Sequence, residues 1–151
     1  MKTTNFEISK KLKEIGFEAE ANFYFAIKNN YEPVPYEILY KSSFKKENIK
    51  YLIPSYDLET LLDALPDSIT REYKSNKDGT IREFEEKLLI NKNEIWYKCY
   101  DIETSDDANE FWREYEYQQN ISIDSWDDSL TNLAGKMLIQ LFEAGLIKFN
   151  K

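Results

Sequence analysis

The sequence contains no histidine. That absence removes Ser-His-Asp and Cys-His nucleophile systems, the imidazole general base, and nearly all zinc sites, whose ligand sets need His or several Cys. Cysteine is scarce too. Cys99 stands alone, so no intramolecular disulfide can form. With no histidine to activate it, a thiol flanked by Tyr97, Lys98 and Tyr100 reads as a small strand residue in a reducing compartment. Glycine and proline number four each. Gly16, Gly79, Gly135 and Gly145 lie too far apart for a GxGxxG or Walker-type loop, so no backbone cradle for a nucleotide is predicted. Long apolar runs are missing as well: no segment approaches the roughly 20 apolar residues of a membrane span. The opening Met1-Lys2-Thr3-Thr4-Asn5-Phe6-Glu7 has no apolar stretch after its lysine and does not read as a signal peptide. These absences predict a cytoplasmic chain, off the membrane and without a cofactor.

What is abundant is aromatic. Eleven Tyr, nine Phe and three Trp make up 15% of the chain, and rings of this kind bury large areas and favour pleated surfaces. Over 151 residues this predicts a real core in a single domain, 1–151, with substantial sheet.

Periodicity supplies the elements. Ser9 to Ile15 reads as a short helix capped by Ser9 and ended by Gly16. Phe23, Phe25 and Ile27 alternate with Tyr24 and Ala26 as a strand, and Tyr36 to Tyr40 reads as its return partner. Asp57 caps a helix whose Leu58, Leu61, Leu62 and Leu65 form one stripe before Pro66. Ile81–Ile90 and Ile95–Ile102 read as a hairpin turned at Asn91–Glu94, with Phe111–Tyr117 favoured as a third strand. From Leu130 to Phe142 apolar residues recur at helical spacing up to Gly145, and Ser125 with Asp128 suggests a start one turn earlier. The predicted fold is α+β: an antiparallel sheet of four to five strands, the C-terminal amphipathic helix packed on one face, and one or two short helices. Gly135 beside the stripe would let that helix approach the sheet closely.

Carboxylates are the remaining chemistry. Glu85-Glu86, Asp106-Asp107 and Asp127-Asp128 are adjacent acids of the type that holds Mg²⁺ or Ca²⁺, although no EF-hand spacing is present. The basic loop of Lys41, Lys45, Lys46 and Lys50 around Phe44 reads as solvated. Charge is distributed unevenly. Residues 1–52 carry nine basic and seven acidic side chains, whereas Asp101 to Asp128 carries ten acids against Arg113 alone, more than the whole net charge of −8. Such a balance argues against direct nucleic-acid binding. The acids Asp101, Glu103, Asp106, Asp107, Glu110, Glu114, Glu116, Asp124, Asp127 and Asp128 interleave with Trp112 and Trp126. Rings that anchor and charge that steers make this stretch the candidate surface for a basic protein partner.

Three segments also resemble, in the same order, a loose group of small uncharacterised proteins encoded by phages and prophages. They are Ile8-Ser9-Lys10-Lys11-Leu12-Lys13-Glu14-Ile15-Gly16-Phe17, Tyr56-Asp57-Leu58-Glu59-Thr60-Leu61-Leu62-Asp63-Ala64-Leu65-Pro66 and Leu138-Ile139-Gln140-Leu141-Phe142-Glu143-Ala144-Gly145-Leu146-Ile147, about a fifth of the chain. The resemblance implies a setting, the cytoplasm of a bacterial host, and no mechanism. The leading expectation is a non-enzymatic accessory protein that binds a basic or nucleic-acid-handling protein. The alternatives are an anti-defence inhibitor of the anti-CRISPR kind, mimicking nucleic acid in a basic groove, and a divalent-metal hydrolase built on carboxylates.

Overall fold

Capping side chains and left-handed glycines set the helix boundaries. In the computed structural model, which describes residues 2–27, 36–41, 52–99, 114–116 and 118–149, α1 spans Phe6–Glu14. Its cap is Asn5, whose side chain accepts from the Ile8 amide at 2.9 Å. The expected cap, Ser9, lies inside the helix instead, fully buried, with its hydroxyl 2.6 Å from that of Thr4. An amide-bearing side chain four residues upstream satisfied the helix entry and freed Ser9 for the core. Gly16, at φ 90°, ends α1: its amide reaches the Lys13 carbonyl and that of Phe17 reaches Leu12.

The chain divides into two compact units, Met1–Leu65 with Asp127–Lys151, and Pro66–Trp126. In the first unit, β1 (Phe23–Ile27) pairs antiparallel with both β2 (Tyr36–Tyr40) and β3 (Ile53–Ser55), in the order β2-β1-β3. Helix α2 (Leu58–Ala64) starts at Asp57, which accepts from the Thr60 amide at 2.9 Å. Helix α3 (Leu130–Glu143) starts at Ser129, one turn after the expected Ser125, because the Ser129 hydroxyl accepts from the Asn132 amide. It packs against α1 and α2, and α1 packs on β3. Leu12 of α1, Leu61 of α2 and Leu133, Met137, Leu138 and Leu141 of α3 are fully buried there. Gly135 does permit a close approach, but to α1: a methyl at that position would stand 2.6 Å from Ile8 Cγ2. A small polar knot lies below. Thr4 exchanges hydrogen bonds with Tyr56 through its amide and its hydroxyl, and the Ser55 hydroxyl donates to the Thr4 carbonyl at 2.7 Å.

In the second unit, β4 (Ser68–Lys74), β5 (Ile81–Asn91), β6 (Glu94–Lys98) and β7 (Ile121–Asp124) form an antiparallel sheet in sequential order. The chain is therefore α+β, as expected, with its strands in two antiparallel sheets of three and four strands where one of four to five was expected. The β5–β6 hairpin turns tightly at Lys92-Asn93, with Asn91 opposite Glu94. Sequence periodicity assigns no element to β3, β4 or β7. Of the expected strand Phe111–Tyr117, residues 111–113 and 117 lie outside the described residues. In the described part Glu114 is helical and Tyr115 forms only an isolated bridge with Ser75 beyond the end of β4, so among the described residues the expected third strand is not formed. No helix among the described residues is long and apolar enough to cross a membrane.

Candidate functional site

Side chains alternate across a strand, so register decides which acids share a face. On one face of the four-stranded sheet lie Ile69, Tyr73, Glu86, Ile95, Tyr97 and Ile121, all buried. The other face carries Thr70 and Glu72 of β4, Glu83, Glu85 and Lys87 of β5, and Asp124 of β7, all exposed. Glu72 sits directly opposite Glu83, and Glu94 directly opposite Asp124. Like charges directly opposite each other repel, so neither pairing supports the sheet. Past β7 the ladder gains one more bond, from the Ser125 amide to the Asn93 carbonyl at 3.1 Å. That bond fixes the chain beside the β5–β6 turn. Trp126 follows it with 87% of its surface in solvent. An indole this exposed gains nothing from the core. Trp96 lies on the same face, half-buried between Leu89 and Ser122, with the Lys98 ammonium 5.2 Å from its ring centre.

Of the acids and rings expected to form the partner surface, Asp101, Glu103, Asp106, Asp107, Glu110 and Trp112 lie outside the described residues. In the second unit, Glu114 is half-buried and Glu116 exposed, their backbones held by the Asn76 amide and the Lys74 carbonyl. Tyr115 between them is buried, its ring edge-on to Phe84 at 5.3 Å. Asp124 ends β7 at the turn end of the sheet, and Trp126 follows two residues on. Glu94 joins them there, and sequence reasoning missed it because it lies outside the acidic stretch; the hairpin register was the signal that could have found it.

In the first unit, Asp127 is exposed and Asp128 is engaged in folding. The Asp128 carboxylate accepts from the Ser129 amide, from Asn132 Nδ2 at 2.6 Å and from Lys136 Nζ at 2.7 Å. Burial pushes its pKa up, but the bonds from Lys136, Asn132 and Ser129, with the charge of Lys136, outweigh that and hold it below the usual carboxylate range.

The adjacent pair Glu85-Glu86 does not converge, because neighbouring strand residues point to opposite faces. Glu85 faces solvent. Glu86 is buried, accepting from Arg71 Nη1 at 3.2 Å and from the Tyr73 hydroxyl at 2.8 Å. Arg71 also donates to Gln118 Oε1 at 2.8 Å and to the Gln119 carbonyl at 3.0 Å. Burial, then the bond to Glu86, pushes the Tyr73 phenol far up. This network ties residues 118–119 to β4, and each of its charges is matched. Among the described residues no three His, Cys, Asp or Glu side chains come together in a way that could hold a metal ion. Cys99 is half-buried just past β6.

The first unit holds a cleft of about 370 Å³ among Lys13, Phe17, Glu18, Tyr24, Pro54 and Tyr56. Lys13 Nζ donates to the Leu52 carbonyl at its edge, at 2.8 Å. Burial raises the Tyr56 pKa to about 12, against the lowering effect of a backbone bond at Ala19. The cleft's residues come from separate segments, so no local pattern announces it. Comparison of the chain with protein-family models, curated proteins and solved structures gives no match.

Proposed function

We propose that the chain is a non-enzymatic accessory protein that binds a basic protein partner through the turn end of its four-stranded sheet, where Glu94, Asp124 and Trp126 lie. One observation carries this reading: Trp126, two residues past Asp124, is 87% exposed at the end of the sheet where Glu94 and Asp124 stand directly opposite each other. Folding explains neither feature. A partner's Lys or Arg placed between Glu94 and Asp124 would relieve their repulsion, and the indole would supply the apolar anchor. A nucleic-acid-handling protein of a bacterial host is the partner class that matches this charge, in the phage-related setting that the three resembling segments suggest. A second reading, an anti-defence inhibitor that occupies a groove meant for nucleic acid, draws support from Glu72, Glu83 and Glu85, exposed on the same face beyond the lysine pair Lys87 and Lys98.

The test is capture of partners from bacterial lysate at low and physiological salt, with the wild-type chain beside Trp126→Ala and the double variant Glu94→Lys/Asp124→Lys. Partners held by the wild type and lost by both variants support the surface. An empty wild-type capture at both salts, or equal capture by all three, refutes it. For the second reading, the captured protein must release its nucleic acid when the chain binds.

A further inference from the structure

We propose that β2 is a homodimerisation edge, pairing antiparallel with β2 of a second copy about a two-fold axis through Leu39. Among the described residues β2 ends its sheet, with β1 as its neighbour on one side. The Lys41 amide donates to the Asn22 carbonyl of the β1 side at 2.9 Å. Backbone groups alternate along an antiparallel strand, so Glu37 and Leu39 point theirs at β1, as the amide of Lys41 does in the first residue past the strand. Those of Tyr36, Ile38 and Tyr40 point outward, where no described strand lies. The opposite edge is blocked. Pro54 of β3 sits across from Tyr24, whose own backbone groups turn toward β2, so Pro54 occupies an outward position without an N–H.

Between the charged Glu37 and Lys41, the open edge exposes apolar side chains. Ile38 is 61% exposed and Tyr40 58%, and they share a face with Ile27 of β1, which is 67% exposed. The occupant follows from the sequence of the edge itself. Glu37-Ile38-Leu39-Tyr40-Lys41 is self-complementary when run against a copy of itself. A two-fold axis through Leu39 sets Glu37 opposite Lys41 of the second copy and Ile38 opposite its Tyr40, twice over. The same register brings the outward N–H and C=O groups of Ile38 against those of Tyr40, as an antiparallel pair requires. A two-fold axis through Ile38 keeps the hydrogen bonds but sets Glu37 against Leu39 and leaves Lys41 without an acid, so charge selects the first register. The contact is isologous and uses up the open edge of both copies, so assembly stops at two, with a continuous six-stranded sheet.

A strand pair this short buries less than the ~1,200 Å² of a tight interface, so the dimer should be weak and rapidly exchanging. Analytical ultracentrifugation of the full chain, from about 5 to 500 µM, should show concentration-dependent growth from the 18.0 kDa monomer to twice that mass. Glu37→Lys alone and Lys41→Glu alone each turn two attractive pairs into repulsive ones and should weaken the dimer at least ~10-fold. An equimolar mixture of these two variants places opposite charges across both ends again and should restore it as a heterodimer. Ile38→Pro, which deletes an outward N–H without touching the β1 ladder, should give a folded monomer by circular dichroism; if it does not fold, the charge variants still decide. A wild type that remains monomeric throughout, a dimer indifferent to Glu37→Lys, or a mixture that fails to reassociate would each overturn the proposal.

Discussion

Gly135→Ala sets two known terms against each other. In mid-helix, alanine favours the variant by up to ~1 kcal/mol. The added Cβ, however, would lie 2.6 Å from Ile8 Cγ2 and 3.3 Å from Thr4 Cγ2, well inside the 3.5–4.0 Å at which carbon atoms rest. Neither neighbour can swing aside. Ile8 is β-branched, buried and met at the carbon next to its Cβ, and Thr4 is held by Ser9, Ser55 and Tyr56. Overpacking of this kind costs about 1–3 kcal/mol, so the steric term should win by up to about 2 kcal/mol. In thermal melts followed by far-UV circular dichroism that is a fall of up to about 6 °C for a chain of this size. Ile8→Ala removes the obstructing methyl and on its own should cost ~2–4 kcal/mol. In the Gly135→Ala background it should cost at least ~1 kcal/mol less, because one substitution makes room for the other. If Gly135→Ala melts at or above the wild type, or if the two losses simply add, the contact between α1 and α3 is not as tight as argued.

Three further outcomes follow from the same geometry. Arg71→Ala strands the buried Glu86 carboxylate and should cost about 3–5 kcal/mol in urea unfolding, whereas Glu86→Gln, which still accepts from Tyr73, should cost only ~1–2 kcal/mol; similar losses for both would mean the ion pair is not what matters. Asp128 has its pKa lowered in the folded state, so its stabilisation is complete above the ordinary carboxylate value and disappears as pH falls through the lower, folded one. Asp128→Asn should therefore be less stable than wild type at neutral pH, by ~1 kcal/mol or less because Lys136 is partly exposed, and the gap should close on acidification. A gap independent of pH would remove the charge from the explanation. Trp126→Ala should leave the unfolding midpoint within about 0.5 kcal/mol of wild type, since an indole in solvent supports nothing; a larger loss would show that the ring is structural and not available to a partner.

Elements with punctuated ends were legible in the sequence. Asp57 and Pro66 bracket α2, Gly145 ends α3, and the alternations around Phe25 and Ile95 gave both hairpins. The strands missed were those whose alternation is disguised. In β4 the inward positions are Ile69, Arg71 and Tyr73, and the charged middle residue conceals the period until its partner Glu86 is known, 15 residues later. β3 contains Pro54, tolerated only because β3 is an edge, and β7 is four residues long. Caps were misplaced for a related reason. Ser9 and Ser125 are good capping residues, but Asn5 and Ser129 are better placed, and only three-dimensional packing distinguishes them. The candidate site was half legible: the acidic stretch and Trp126 are plain in the sequence, while Glu94 joins them only through strand register.

The acids of this chain sort by what they touch, and the sorting is physical evidence in itself. Asp57 caps α2, Asp78 accepts from the Thr80 amide and hydroxyl at the β4–β5 turn, Glu86 neutralises Arg71, and Asp128 holds the entry to α3. Each removes an unsatisfied donor or a lone buried charge, so folding alone is reason enough for its presence. Glu72, Glu83, Glu94 and Asp124 do the opposite. They are set against each other in pairs where a lysine on one side would be stabilising, as it is in no need of other change to the strand. Repulsion of a few tenths of a kcal/mol per pair is small beside a domain's stability of roughly 5–15 kcal/mol, so a fold can carry it. Of the two pairs, Glu94 and Asp124 stand at the turn end of the sheet, where the proposed cationic partner would relieve their repulsion.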